Sequence, residues 1–173
     1  GAAQYYRDAK ILTIYEGTTA IQANDLVGRK TARDGGQTAK AIASQIEQTE
    51  KQLKAHSDAR CHAVAKRLSA AREAFLDVVE FFVAESKSNP NAVYAGSVPY
   101  LMLAGNLMSG WQMGRAMLVA LEHIAKNDDV AFMQAKVTTA RFYADHILCK
   151  APGLRDSIIA GADSVTEMAL EAF

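Results

Sequence analysis

One stretch in the middle of the chain determines its fold class. Its apolar residues recur in alternating steps of four and three: Val64, Leu68, Ala71, Phe75, Val78 and Phe82. An α-helix brings residues three and four apart onto one face, whereas a strand brings alternate residues together. One helix cannot bury such a seam alone, so the seam needs other helices around it. We therefore predict an all-α fold, a helical bundle.

A second apolar pattern precedes this seam. Its members recur at threes and fours: Ala39, Ile42, Ala43, Ile46 and Leu53. The pattern ends near His56, after which Ser57 or Asp58 can cap the central helix with a side-chain oxygen. Gly35 and Gly36 precede it and are expected to end the part of the chain before them.

The segments after the seam are also predicted to be helical. Residues 86–91 are expected to form a loop, because Pro90 biases its predecessor away from helix. Asn127, Asp128 and Asp129 form a turn before a helical pattern that reaches Ile147. Pro152 and Gly153 are expected to interrupt that pattern, and a final helix then covers residues 154–173, with a break near Gly161.

Residues 94–114 contain no charged side chain, over a length close to the roughly 20 residues that a membrane span requires. Amides, glycines and a proline would be costly in lipid, so we interpret the stretch as a central helix buried on all sides and beginning near Ser97. Gly110 and Gly114 would let another helix approach closely. Core packing, rather than a ligand pocket, is expected for the large soft side chains here: Met102, Met108, Trp111, Met113 and Met117.

Composition excludes several classes of function. Half of the 173 residues are hydrophobic and the formal net charge is zero, with lysines and arginines scattered, so a nucleic-acid partner is not indicated. Cys61 and Cys149 are too far apart to suggest a disulfide framework, and free thiols favour a cytoplasmic location. The four histidines lie far apart, so no metal site is predicted. The chain begins at Gly1 rather than methionine and without a signal peptide, which suggests a cut and a larger protein upstream.

One carboxylate stands apart from the others. Glu16 lies between Tyr15 and Gly17, in a turn between a short amphipathic helix over residues 4–14 and a second helix that begins at Thr18 or Thr19. A carboxylate deprived of water is disfavoured in its charged form and becomes a better base at neutral pH. On these residues alone, however, a glutamate that turns the chain or caps the next helix is the better explanation.

A longer run of residues around Glu16 bears on the choice between a catalytic and a capping role: RDAKILTIYEGTTAIQANDLVGRK. It resembles the C-terminal signature of the acyl-CoA dehydrogenases, in which a helix containing an arginine leads into a Tyr-Glu-Gly-Thr turn and then a helix with Ile and Gln. The resemblance is continuous through the turn and ends at Lys30. It favours a catalytic role for Glu16 over capping.

The resemblance implies flavin-dependent α,β-dehydrogenation of an acyl-CoA thioester. Glu16 would remove the α-proton, its backbone amide would bind the thioester carbonyl, and Gly17 would lie against the substrate. Electrons would pass to an electron-transfer flavoprotein, and a homo-oligomer is expected. Contacts with FAD are implied at the start of the following helix, for Thr18, Thr19, Ala20 and Gln22.

The chain departs from ordinary members of this family by continuing from Lys30 to Phe173. This resembles the larger bacterial subgroup that includes the 3-methylmercaptopropionyl-CoA dehydrogenases, which carries an extra C-terminal helical domain. Residues 1–35 are then interpreted as the end of the dehydrogenase C-terminal domain, with its last two helices, and residues 36–173 as the additional bundle. The family's other domains are absent from this chain, so we expect the isolated chain to be inactive and not to retain FAD. The alternative is an oligomerisation or interaction module with no catalytic role.

Overall fold

The computed structural model describes residues 1–14, 18–165 and 167–172, and within these ranges it contains helices and no strand. The α-helices are α1 (Ala2–Lys10), α2 (Thr19–Asp25), α3 (Gln37–Ala55), α4 (Ala59–Glu85), α5 (Pro90–Ala95), α6 (Ser97–Ala125), α7 (Val130–His146) and α8 (Ala151–Ile159). A π-helix, Leu26–Ala32, continues α2, and short 3-10 turns occupy Ile11–Thr13, Leu148–Lys150, Asp163–Val165 and Leu170–Ala172. The prediction of an all-α helical bundle is confirmed.

Helix α4 lies at the centre of the bundle. It packs against α3, α6, α7 and α8, and its predicted seam from Val64 to Phe82 is buried at every member. The Tyr100 ring of α6 stacks on Phe75 at 5.6 Å between centroids and meets Phe82 edge to face at 4.9 Å. Each buried aromatic side chain contributes about 1.5–3 kcal/mol through the area it removes from water. The core is therefore organised along α4, as the periodicity predicts.

Helix α6 is buried along one seam rather than on all sides, so that part of the sequence interpretation is wrong. Its buried residues are Ser97, Tyr100, Leu103, Leu107, Gly110, Gly114, Met117 and Ala120. On other sides of the helix, the exposed fractions of Met102 and Val119 are 52% and 51%. Helices α2, α3, α4, α7 and α8 all pack against α6, yet they leave part of its surface open to solvent. None of the described helices combines the length and apolar character needed to cross a membrane.

The predicted close approach at Gly110 and Gly114 is confirmed. A Cβ atom built at Gly110 would lie 2.6 Å from Leu148 Cδ1, and one at Gly114 would lie 3.1 Å from Leu53 Cδ1. Gly105, on the same helix, has no atom within 4 Å of such a Cβ. Gly110 therefore lets the turn Leu148–Lys150 sit directly against α6.

The methionine-rich part of α6 mostly fills the core. Met117 is fully buried, and Met108, Met113 and Trp111 are partly buried against the core cluster. Met102 is exposed, so the core assignment is wrong at that position.

Two prolines begin helices where the sequence suggested a loop or an interruption. Pro90 is the first residue of α5, and the Asn89 side chain accepts a hydrogen bond from the Ala92 amide at 3.4 Å. Pro152 lies in the first turn of α8, so the chain is interrupted earlier, at Ile147. Proline is tolerated there because the first amides of a helix have no partner within it. Helix α8 ends at Ile159, so one final helix over residues 154–173 is also wrong, although a break near Gly161 was correct.

Charged side chains join α3 to α4 inside the bundle. Arg72 donates to both carboxylate oxygens of Glu50, from Nε at 2.7 Å and from Nη2 at 3.1 Å. The exposed fractions of the two side chains are 1% for Glu50 and 15% for Arg72. Hydrogen bonding to Glu50 raises the pKa of Arg72, so the guanidinium stays charged. This ion pair satisfies a carboxylate that would be very costly to bury alone.

Helix α4 begins with the cap that the sequence predicted. The Asp58 carboxylate accepts from the Arg60 amide at 2.8 Å and also from the Arg60 guanidinium. The hydrogen bond with the Arg60 side chain is the main reason why the pKa of Asp58 falls from 3.8 to about 2. The cap therefore carries a negative charge at the positive end of α4.

Candidate functional site

The residues with the strongest sequence prediction, Glu16 and Gly17, lie outside the described residues. The structure describes the chain again from Thr18, which precedes the first turn of α2. Thr19, Ala20 and Gln22 are exposed in that helix, while Ala23 is fully buried against the bundle. The residues predicted to contact a cofactor therefore lie together at one end of α2 and are accessible.

The start of α2 is suited to a negatively charged group. The Thr18 carbonyl accepts from the Gln22 amide at 2.8 Å, whereas its side chain makes no capping hydrogen bond. The first amides of a helix carry the positive end of its dipole and lack partners within the helix. Phosphate groups commonly bind at such ends. The exposed start of α2 therefore carries amide donors of the kind that bind phosphate groups.

Large apolar side chains are exposed in the N-terminal part of the chain. No residue of α1 is buried, although the helix forms where the sequence predicted one. The exposed set, which we call the N-terminal apolar surface, has exposed fractions from 57% to 78%: Tyr5, Tyr6, Ile11, Leu12, Ile14 and Ile21. Exposed large apolar side chains of this kind are typical of protein contact.

The π-helix Leu26–Ala32 joins the candidate site to the bundle. Thr31 is buried, and its Oγ1 shares a hydrogen bond of 2.9 Å with the Tyr100 hydroxyl of α6. A Cβ atom on Gly28 would lie 2.7 Å from the Tyr94 hydroxyl, so only glycine fits there without movement of Tyr94. Burial raises the pKa of Tyr100 to about 12, which keeps its hydroxyl protonated at neutral pH. The segment after α2 is thus held by two tyrosines.

Sequence reasoning missed these contacts. Thr31 and Tyr100 are 69 residues apart, and neither belongs to a motif that indicates a pair. A glycine inside the helical run, at Gly28, was the one available signal, because glycine in a helix interior often marks close packing.

A crevice lies beside the π-helix. Its volume is about 270 Å³, close to the lower limit of small-molecule pockets. Its walls come from the α2 continuation, α3, α4 and α6: Leu26, Lys30, Thr31, Thr38, Ala39, Ile42, Phe75, Tyr100, Ala104 and Met108. The π-helix therefore has tight packing against Tyr94 and a looser boundary facing Ile42 and Met108.

Metal chemistry has no visible support in the described ranges. Within residues 1–14, 18–165 and 167–172, no group of three or more His, Cys, Asp or Glu side chains is placed to hold a metal ion. Cys61 and Cys149 are free thiols, and burial raises the pKa of Cys61. A buried thiol of this kind is a poor nucleophile.

Comparison with known proteins gives a consistent result. A family model described as "Acetyl-CoA dehydrogenase C-terminal like" matches residues 39–169. The chain is 47% identical over 170 residues to a 3-methylmercaptopropionyl-CoA dehydrogenase from Ruegeria pomeroyi, covering 98% of this chain and 29% of that protein. It is 34% identical over 189 residues to a broad-specificity linear acyl-CoA dehydrogenase from Mycobacterium tuberculosis, covering 98% of this chain and 29% of that protein.

A butyryl-CoA dehydrogenase from Syntrophomonas wolfei is 29% identical over 175 residues, which cover 99% of this chain and 28% of that protein. The chain therefore spans less than a third of the length of the curated relatives it matches.

Proposed function

The chain belongs to the acetyl-CoA dehydrogenase C-terminal-like family, and from this membership we propose that the full-length protein is an FAD-dependent acyl-CoA dehydrogenase. The observation that carries the proposal is similarity over nearly the whole chain to relatives that are themselves named acyl-CoA dehydrogenases. That similarity extends through the segment of Glu16, since the first relative covers 98% of this chain. The reaction converts an acyl-CoA thioester into its α,β-unsaturated product.

In this proposal Glu16 is the base. Its carboxylate takes the α-proton of the acyl group, and the electrons of that C–H bond form the new double bond as hydride departs from the β-carbon. FAD, when bound, supplies the acceptor for that hydride. The Glu16 backbone amide donates to the thioester carbonyl and stabilises the negative charge that develops there. Gly17 lets the thioester pass close to the backbone, since it has no side chain.

The start of α2 would hold part of the cofactor. Thr18 and Thr19 offer hydroxyl groups, and the first amides of the helix offer donors for a phosphate. Ala20 and Gln22 lie in the same turns and are exposed on the described surface. Their accessibility and the missing side-chain cap at Thr18 support this assignment.

Four further parts of the proposal rest on family resemblance and composition. The oxidised partner that receives the electrons would be an electron-transfer flavoprotein, and the acyl-CoA would be the substrate. A homo-oligomer and a cytoplasmic location complete the proposal. The N-terminal apolar surface is consistent with further protein covering α1 in the full-length enzyme.

The direct test is Glu16→Gln in the full-length enzyme. The amide cannot take the α-proton, so turnover should fall by at least about a hundredfold while the flavin stays bound. Glu47→Gln is the matched control, because Glu47 is an exposed carboxylate of α3 paired with Lys51. Steady-state rates and flavin absorbance measure both effects. A near-normal rate for Glu16→Gln would show that another group is the base.

A further inference from the structure

We propose that the hydrogen bond between Thr31 and Tyr100 positions the helix that follows Glu16 in the sequence, so that turnover by the full-length enzyme depends on this bond in the C-terminal bundle. The inference rests on the proposed function, since it takes Glu16 as the base. Thr31 and Tyr100 are positioning residues, because they act through the helix that follows Glu16.

The first step is continuity between the start of α2 and the bundle. Helix α2 passes into the π-helix without a break, since Leu26 at the junction keeps helical dihedral angles of −59° and −44°. We call residues 19–32 the α2–π segment. It begins three residues after Glu16 and carries Thr31 near its other end. At about 1.5 Å per residue, roughly 18 Å of helix separates the two ends. A rigid helix transmits a rotation or shift at one end to the other.

The second step concerns what holds this segment. Ala23 and Val27 are fully buried against the bundle, but their contacts are small and non-directional. Gly28 lies against the Tyr94 hydroxyl, which limits movement toward α5. The Thr31–Tyr100 bond is directional, and both partners are at most 1% exposed. A buried hydroxyl must keep its partner, so this bond fixes the rotation of the segment.

The third step is that Tyr100 itself is held rigidly. Its ring lies between Phe75 and Phe82 of α4, at centroid distances of 5.6 Å and 4.9 Å. The hydroxyl position is therefore set by the aromatic contacts of the Tyr100 ring with α4. Through Tyr100, the α2–π segment is aligned with the α4 core.

The crevice shows why packing alone does not suffice. Leu26 of the segment lines a space of about 270 Å³ together with Ile42 of α3 and Met108 of α6. Without the hydroxyl pair, the segment has room to rotate or shift into this space. A general base must be held close to its proton, and a displacement of about 1 Å costs on the order of a hundredfold in rate. Loss of the bond is thus expected to lower turnover.

The test compares two threonines in the full-length holoenzyme. Thr31 and Thr49 are both buried, and each hydroxyl is hydrogen-bonded to an aromatic side chain of α6, Tyr100 at 2.9 Å and Trp111 at 2.8 Å. Thr49 joins α3 to α6 and does not contact the α2–π segment through this bond. Thr31→Val and Thr49→Val therefore remove equivalent bonds, of which only one holds the helix that follows Glu16.

Thr31→Val should lower kcat about tenfold and leave KM and flavin content near the wild-type values. It should also increase the isotope effect with substrate deuterated at the α-carbon, since proton removal becomes slower. The two variants Thr31→Val and Thr49→Val should lower the melting temperature by similar amounts. Thr49→Val, however, should leave kcat and the isotope effect unchanged. Thr31→Ser keeps the hydroxyl and should restore kcat to within about twofold of wild type. Tyr100→Phe, which keeps the ring, provides a second removal of the bond.

Two outcomes would overturn the inference. One is an equal loss of kcat in Thr31→Val and Thr49→Val. The other is an unchanged kcat and isotope effect in both Thr31→Val and Tyr100→Phe. Glu16→Gln measured in parallel separates the two levels. If Glu16→Gln is inactive while Thr31→Val is normal, the positioning role is wrong and the proposed function stands. If Glu16→Gln keeps near-normal turnover, both are wrong.

Discussion

Replacing Arg72 with methionine should destabilise the bundle strongly. The change keeps a long side chain against α3 but removes both hydrogen bonds to Glu50. The Glu50 carboxylate is 1% exposed, so water cannot replace the guanidinium. A buried charge without a partner is among the few single defects that cost several kcal/mol.

The expected loss follows from the burial of the pair. Leaving a buried charge unpaired costs about 3–5 kcal/mol, and the 15% exposure of Arg72 favours the lower end of that range. For a chain of this size, each kcal/mol lowers the melting temperature by about 2–4 °C, so a decrease of roughly 10 °C is expected. In Glu50→Leu with Arg72→Met, no charge stays buried, and stability should recover to within about 1 kcal/mol of wild type.

Urea and thermal unfolding followed by far-ultraviolet circular dichroism measure these changes. Lys51→Met is the matched control. Lys51 pairs with Glu47 at 2.9 Å on the surface of α3, the helix that carries Glu50, and both side chains are well exposed. An exposed pair contributes little, so that variant should lose no more than about 0.5 kcal/mol. The reasoning is refuted if Arg72→Met costs no more than Lys51→Met, or if the double variant is as unstable as Arg72→Met alone.

Two further predictions concern stability. Gly110→Ala should lower the free energy of unfolding by about 1–3 kcal/mol, since its Cβ would overlap Leu148. Gly105 lies in open space on the same helix, so Gly105→Ala should raise the free energy of unfolding by about 0.5–1 kcal/mol. Urea titration measures both changes, and a change of the same sign in the two variants would contradict the packing account. Because the pKa of Asp58 is lowered from 3.8 to about 2, its stabilising charge is fully present above about pH 4 and is lost as the pH falls toward 2. Asp58→Asn keeps a capping oxygen but not the charge. The difference in free energy of unfolding between the wild type and Asp58→Asn should therefore shrink as the pH falls toward 2. A difference that stays constant across this interval would contradict the assignment.

The sequence predicts the parts of the fold that depend on local pattern. The seam from Val64 to Phe82 is buried throughout because its period matches one face of a helix. The prediction that α6 is buried on all sides is wrong for a different reason. A stretch without charged residues indicates that a helix can be buried, but it does not indicate which sides other helices cover. Met102 lies in the uncharged stretch and is nevertheless 52% exposed. The sequence predicts a loop at Pro90 and an interruption at Pro152, whereas both prolines lie in the first turn of a helix, where proline is well tolerated.

Only part of the candidate site could be predicted from the sequence. Glu16 could be singled out from its neighbours, but its role as a base came from the resemblance of a whole run of residues, and that role is still a prediction. The bond between Thr31 and Tyr100 could not be predicted, because a contact across 69 residues depends on how α2, α4 and α6 pack. Isolated hydroxyl residues carry no sequence signal of their partners.

The π-helix allows the segment after α2 to hold an extra residue without changing the direction in which its flanks face. The Arg33 amide bonds to the Gly28 carbonyl, five residues back, so the segment holds more residues per turn than an α-helix. Each residue therefore turns the chain by less than about 100°, the rotation per residue of an α-helix. Deleting one residue between Leu26 and Thr31, with a return to α-helical winding, would leave Thr31 close to its present direction. The same deletion within a regular α-helix would rotate one side by about 100° relative to the other.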